Sequence, residues 1–322
     1  MKAMLAAAAG LALGILVSAP IKAATAAGQN VYVLSQDDGV LSIIDPNADE
    51  ISAKINIPGK PAAFAIDPTS HFAFATLPDA GEIAVLDPVH RTAMPSLKIG
   101  GQPFGIATDG AGRLFVGDWS ANRISVVDAK TGAVITTIAV GRSPAHLAAT
   151  RDGSRLYVAN RESDSVSVID IREHKILATM PVGHAPFALG LSPDEGKLVV
   201  ANAQAATLSI VDTQNLKVVA SSATRPMPYG VAITDDNSMI LVSNQHSGTV
   251  SIFDAQTHRP KTEIKVGRFP EGVAALANGR KAYVANWFSA SVSVLDLAAG
   301  TEIKRIKCPE GPRMVVIGAA GG

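Results

Sequence analysis

A five-residue phrase recurring at a near-constant interval, four strand signals in each interval and no window of helical period predict an all-β chain: a seven-bladed β-propeller with four antiparallel strands per blade. The phrase reads LSIID at 41–45, IAVLD at 83–87, ISVVD at 124–128, VSVID at 166–170, LSIVD at 208–212, VSIFD at 250–254 and VSVLD at 292–296. Its closing aspartates are Asp45, Asp87, Asp128, Asp170, Asp212, Asp254 and Asp296, spaced 42, 41, 42, 42, 42 and 42 residues apart.

Residues 1–26 read as an address. Met1 and Lys2 supply one positive charge, 3–17 is apolar, and Ala24-Thr25-Ala26 is an A-x-A pattern with cleavage expected near Ala26 or Ala27. The apolar run is short of the roughly 20 residues a membrane span needs. An exported protein, periplasmic or secreted, with no membrane insertion after cleavage is expected. Residues 27–322 then form a single propeller domain: cleavage after Ala26 leaves 296 residues, against 294 for seven periods of 42.

Within a period the strands follow in order. In the third unit, 145–150 is apolar with small residues, and Arg151-Asp152-Gly153-Ser154 is a turn. Residues 156–160 (LYVAN) are rich in strand formers, 162–165 turn again, 166–170 alternate, and 175–182 form a fourth strand ending in Gly183. The chain starts on the second strand type, at 31–35, and ends on the first, at 314–318. The last blade is therefore expected to combine one C-terminal strand with three N-terminal strands, tying the ends together by hydrogen bonds.

The 47% hydrophobic fraction excludes a disordered chain. With 28 Lys+Arg against 28 Asp+Glu, a strongly basic nucleic-acid binder is excluded at whole-chain level. The single Cys, Cys308, excludes an internal disulfide, a multi-cysteine metal site and a CxxCH haem attachment; it reads as a small, partly buried hydrophobe.

LYVAN at 156–160, AYVAN at 282–286, VSVID and a Val-Gly-x-x-Pro step resemble the YVTN-repeat seven-bladed β-propellers, including YncE-like periplasmic proteins. The resemblance covers essentially all of the chain after residue 26. It implies the fold and an extracytoplasmic location. Some YncE-like proteins look like DNA-binding propellers, and related propellers act as lactonases or lyases, so the resemblance leaves the activity open.

Repeated residues read as structural. The seven aspartates each end a strand and open a turn, where a carboxylate accepts backbone N–H groups. Asn160, Asn202, Asn244 and Asn286 are read the same way. Function is expected where the repeat breaks, on loops around the channel mouth. The Gly-x-x-Pro loops carry Lys60, Gln102, Arg142, His184, Arg225, Arg268 and Arg313, a predicted basic ring suited to an anion. Inner-strand starts add Phe104, His146, Phe187, Tyr229 and Glu271. His146 stands where most blades carry Gly or Ala. Trp119 and Trp287 lie 168 residues apart, four periods of 42, at one position of two blades.

A binding or scaffold module is therefore expected, monomeric, without a cofactor, with a small anion or a protein as partner. Single-stranded nucleic acid is the stacking alternative. The enzymatic alternative, of lactonase or lyase type, uses Glu271 with His146, with or without a metal; against it, Glu271 reads as an ion-pair partner of Arg268 or Arg313. His146, His184 and His246 are the candidate metal ligands, though no HxH or HExxH spacing joins them.

Overall fold

The computed structural model describes residues 28–319; the expected address segment lies outside them. The described residues form seven four-stranded antiparallel sheets. Blades 1 to 6 follow in chain order, their inner strands being Phe64–Ile66, Pro103–Thr108, Pro144–Ala149, Pro186–Leu191, Pro228–Ile233 and Pro270–Ala275. Blade 7 joins the C-terminal Pro312–Ala319 to Gln29–Ser35, Val40–Asp45 and Glu50–Asn56, so the ring closes as the strand order predicts. The closing pair runs in register from Gln29 opposite Ala319 to Leu34 opposite Met314, with a bulge before Ser35 meets Pro312.

Blade 3 shows why the repeat folds this way. Its strands are Pro144–Ala149, Arg155–Asn160, Ser165–Asp170 and Lys175–Pro181. The third strand is buried up to its last residue because neighbouring blades cover both faces, whereas the outermost strand is largely exposed. The apolar core is divided accordingly: seven buried clusters each lie between two neighbouring blades. In one, Phe115 and Val126 of blade 2 pack on Leu156 and Val158 of blade 3. A blade on its own would leave both such faces in water.

Each of the seven aspartates accepts backbone N–H groups in the turn after its strand, as Asp128 does from Lys130 and Thr131. The asparagines do something else. Asn160, Asn202, Asn244 and Asn286 are fully buried and donate at 2.9 Å to the buried Ser167, Ser209, Ser251 and Ser293 of the next strand. Three of them also press on the glycine opening the next loop. A Cβ on Gly141, Gly183 or Gly267 would lie 2.5–2.6 Å from the Asn side chain, so close approach, rather than a left-handed φ, selects glycine there.

The seam at blade 7 carries a partly buried polar clamp. Lys281 donates to Asp49 at 2.6 Å and to the Pro46 carbonyl at 3.2 Å, while the Tyr283 hydroxyl donates to Asp49 at 2.5 Å. Cys308 packs between blades 6 and 7, where burial pushes its thiol up to about 12. Two short 3-10 turns, Arg161–Ser163 and Trp287–Ser289, interrupt the strands. No helix among the described residues is long and apolar enough to cross a membrane.

Candidate binding site at the channel mouth

Six of the seven inner strands start at a proline, and in blade 1 Pro61 lies three residues ahead of Phe64; the residue after each of these prolines stands at the channel mouth. Around the ring this position holds Ala62, Phe104, Ala145, Phe187, Tyr229, Glu271 and Arg313. One side of the mouth is thus apolar, and three successive blades (5, 6 and 7) place a phenol, a carboxyl and a guanidinium side by side.

Arg313 organises the polar side. Nη1 donates to Gln36 Oε1 at 2.9 Å and Nη2 to the Tyr229 hydroxyl at 3.0 Å. Nε stands 3.6 Å from Glu271 Oε2. The guanidinium also lies 5.6 Å from the centre of the Phe104 ring and 5.4 Å from that of Trp287. Only 10% of its side chain is exposed. Burial works against its charge, but Tyr229 and Glu271 outweigh that, and its pKa is raised.

Glu271 accepts from Gln245 Nε2 at 2.8 Å through Oε1; its Oε2 has no hydrogen-bond partner among the described residues. Burial pushes its carboxyl from the ordinary 4.5 to about 7, with Arg313 and Gln245 pulling the other way. The aromatics form a chain. Trp119 packs on Phe104 at 4.7 Å, Phe104 meets Phe187 edge-on at 6.2 Å, and Phe187 stacks on Tyr229 at 4.0 Å. Burial raises the Tyr229 hydroxyl, which stays protonated.

Below the mouth lies a cavity of about 370 Å³. His146 is in its wall. Its Nδ1 accepts the Leu189 N–H at 3.2 Å, and burial lowers its pKa to about 4, so the ring is neutral. Glu271 is held by Arg313 and Gln245 and His146 by Leu189; no hydrogen bond joins the two.

The outer loop cations are placed differently. Arg142 donates through Nε to the Glu162 carbonyl at 3.0 Å, and Arg268 through Nη2 to the Phe288 carbonyl at 2.6 Å. Both belong to one device: their backbone N–H groups donate at 2.8 Å to Ser163 and Ser289, pinning the two 3-10 turns. Arg225 pairs at 2.6 Å with Glu263 on an outer strand, and His184 pairs at 2.8 Å with Asp164. Lys60 edges a shallow pocket with Asp37, Asp79 and Trp119. Arg313 is not the loop cation its count suggested. Blade 7 enters through Pro309-Glu310-Gly311-Pro312, so Glu310 matches Arg268, and Arg313 matches Glu271.

His146, His184 and His246 lie apart, the last at 6.1 Å from the Phe269 ring. Among the described residues no three His, Cys, Asp or Glu side chains are arranged to hold a metal. Gln36 and Gln245 were not singled out from sequence. They occupy the position of Trp119 and Trp287, directly after the second strand, and that periodic equivalence was the available signal.

Residues 76–191 and 188–281 match the model of the YncE-like beta-propeller. Solved structures align over nearly the whole fold. A functionally unknown protein from Desulfotomaculum acetoxidans DSM 771 aligns with TM-score 0.78 at 14% identity, covering 91% of this chain and 99% of that one. Kuenenia stuttgartiensis hydrazine synthase aligns with TM-score 0.71 at 18% identity, covering 83% and 95%. Dihydro-heme d1 dehydrogenase NirN in complex with DHE aligns with TM-score 0.69 at 14% identity, covering 89% and 74%. No curated protein matches the chain.

Proposed function

The chain belongs to the YncE-like beta-propeller family, and on that premise we propose that it is an exported binding propeller taking a small anion at its channel mouth through Arg313. The observation that carries this reading is a nearly buried guanidinium between two aromatic faces, above a cavity, whose neighbouring carboxyl is pushed up to about 7 and so is only partly ionised near neutral pH. In so dry a setting a paired N–H donor attracts an anion far more strongly than the same group in water. Trp119 and Trp287 support it as walls rather than as open platforms, which argues for a small ligand over a nucleic-acid strand. A protein partner would meet the outer loops instead.

One observation favours a second reading. A carboxyl poised near pH 7 beside a cation suits an acid–base group, as a lactonase- or lyase-type propeller would need. Loss of turnover in Glu271→Gln, with binding retained, would select it.

A melting-temperature screen with phenylbutyrate, phenylbutylamine and phenylbutanol tests the main reading. The three share an apolar body and differ in charge. The acid alone is expected to stabilise the protein, by about 2.7 kcal/mol at 100 times its Kd. A shift with the amine, or none with the acid, rejects the anion site.

A further inference from the structure

We propose that the ligand is an amphipathic carboxylate carrying a second hydrogen-bond acceptor, a carbonyl oxygen, on an apolar body, and that His146 donates to that oxygen inside the channel. This rests on the reading of Arg313 as the anion site and specifies what the rest of the ligand must be.

The cavity wall is made of aliphatic, aromatic and glycine residues apart from three polar side chains: Arg313, Tyr229 and His146. All three can donate hydrogen bonds, and none is a carboxylate, so the wall complements acceptors rather than amines. At about 370 Å³ the cavity falls in the usual range of small-molecule sites, about 300–1,000 Å³. Toward its far end the side chains are apolar, among them Leu191, Ile233 and Ile317.

His146 is chemically specified by its partner. Because Nδ1 accepts the Leu189 N–H, the proton of the neutral ring sits on Nε2. The ring's one hydrogen bond among the described residues is the leucine contact at Nδ1, and the residue lines the cavity. The leucine contact therefore accounts for one ring nitrogen and leaves the other free for a ligand.

The position itself favours small residues. In the other blades it holds Ala63, Gly105, Ala188, Gly230, Gly272 and Met314. A Cβ would lie 1.9 Å from the Ala145 carbonyl oxygen at Gly105 and 2.3 Å from the Glu271 carbonyl oxygen at Gly230. Inner strands crowd here, and blade 3 alone places an imidazole in the space. His146 stands one strand position deeper than Arg313 and three blades away around the ring, and both residues line the same cavity.

Benzoylpropionate and phenylbutyrate test this, since they differ by one ketone oxygen. By titration calorimetry on the full chain, the keto acid is expected to bind about 3- to 10-fold tighter. The preference should vanish in His146→Met, which places there the residue blade 7 already uses. Should that variant not fold, the Nε2–H resonance of histidine-labelled wild-type protein provides the second readout. It should move with the keto acid and stay with phenylbutyrate. Equal affinity of the two acids for the wild type overturns the role of His146 while leaving the Arg313 site standing. Binding of neither acid overturns both.

Discussion

Arg268 lies in the loop entering an inner strand, whereas Arg313 is the second residue of one and lines the channel cavity. Arg268 lies in water, its Nη2 on the Phe288 carbonyl. Arg313 is 10% exposed, fixed by Gln36 and Tyr229, and faces a carboxyl that itself makes one hydrogen bond. Three residues of register separate the two positions. The outer cation is screened by solvent and holds a turn; the inner one carries its charge where little water answers it. The like residues of the sequence therefore fall into two settings in space, and the proposed anion site uses the inner one.

The largest effect should come from removing the inner charge. Arg313→Met is expected to cost about 3–5 kcal/mol in urea unfolding at pH 8, because it strands Glu271 as a buried lone carboxylate. At pH 6 the loss should shrink, since Glu271 can then take a proton. A loss independent of pH would mean the two groups are not coupled.

Glu271 gives the next test. Its folded pKa, about 7, lies above its ordinary 4.5, so the folded state holds the extra proton between those values. The stability it contributes is full below pH 4.5 and is lost as pH rises through about 7, on the order of 3 kcal/mol. His146, lowered to about 4, works in the opposite sense, losing its contribution as pH falls. The difference between wild type and Glu271→Gln therefore isolates the carboxyl. Anion affinity should fall over the same rise in pH, because ionised Glu271 competes for Arg313. A flat difference profile from pH 5 to pH 8 would contradict this.

Gly183→Ala probes the repeated framework instead. Its Cβ would meet Asn202 at 2.6 Å, so a loss of about 1–3 kcal/mol is expected, with anion affinity unchanged. The smallest effect belongs to the outer ring. Arg142→Ala and Arg268→Ala should loosen their 3-10 turns, visible as faster amide exchange at 161–163 and 287–289, and alter anion affinity less than about twofold.

The framework was legible because each of its features repeats. Aspartate spacing set the turns, alternation set the pleat, and the first and last strand types set the closure. Trp119 and Trp287 follow from the same periodicity, and Glu271 reads from sequence as a partner of Arg268 or Arg313, of which the structure has Arg313. The burial of that pair was not legible. Blade 7 enters through Glu310-Gly311-Pro312 rather than a Gly-x-x-Pro step, so grouping Arg313 with the loop cations placed it three positions too far out. Asn160 and its equivalents looked like turn residues, since nothing in a single repeat shows that the amide reaches a serine two strands' width from the loop it also supports. Gln36 and Gln245 carry no chemical signature alone; they acquire one only when blades 5, 6 and 7 are brought around the axis.

The central claim, that the inner arginine and not the outer ring recognises an anion, comes down to calorimetric titration of phenylbutyrate into three proteins. Against wild type, the Arg142→Ala/Arg225→Ala/Arg268→Ala triple variant should bind within about twofold, and Arg313→Gln should bind about 10- to 150-fold more weakly. Loss of binding in the triple variant with retention in Arg313→Gln would contradict the account.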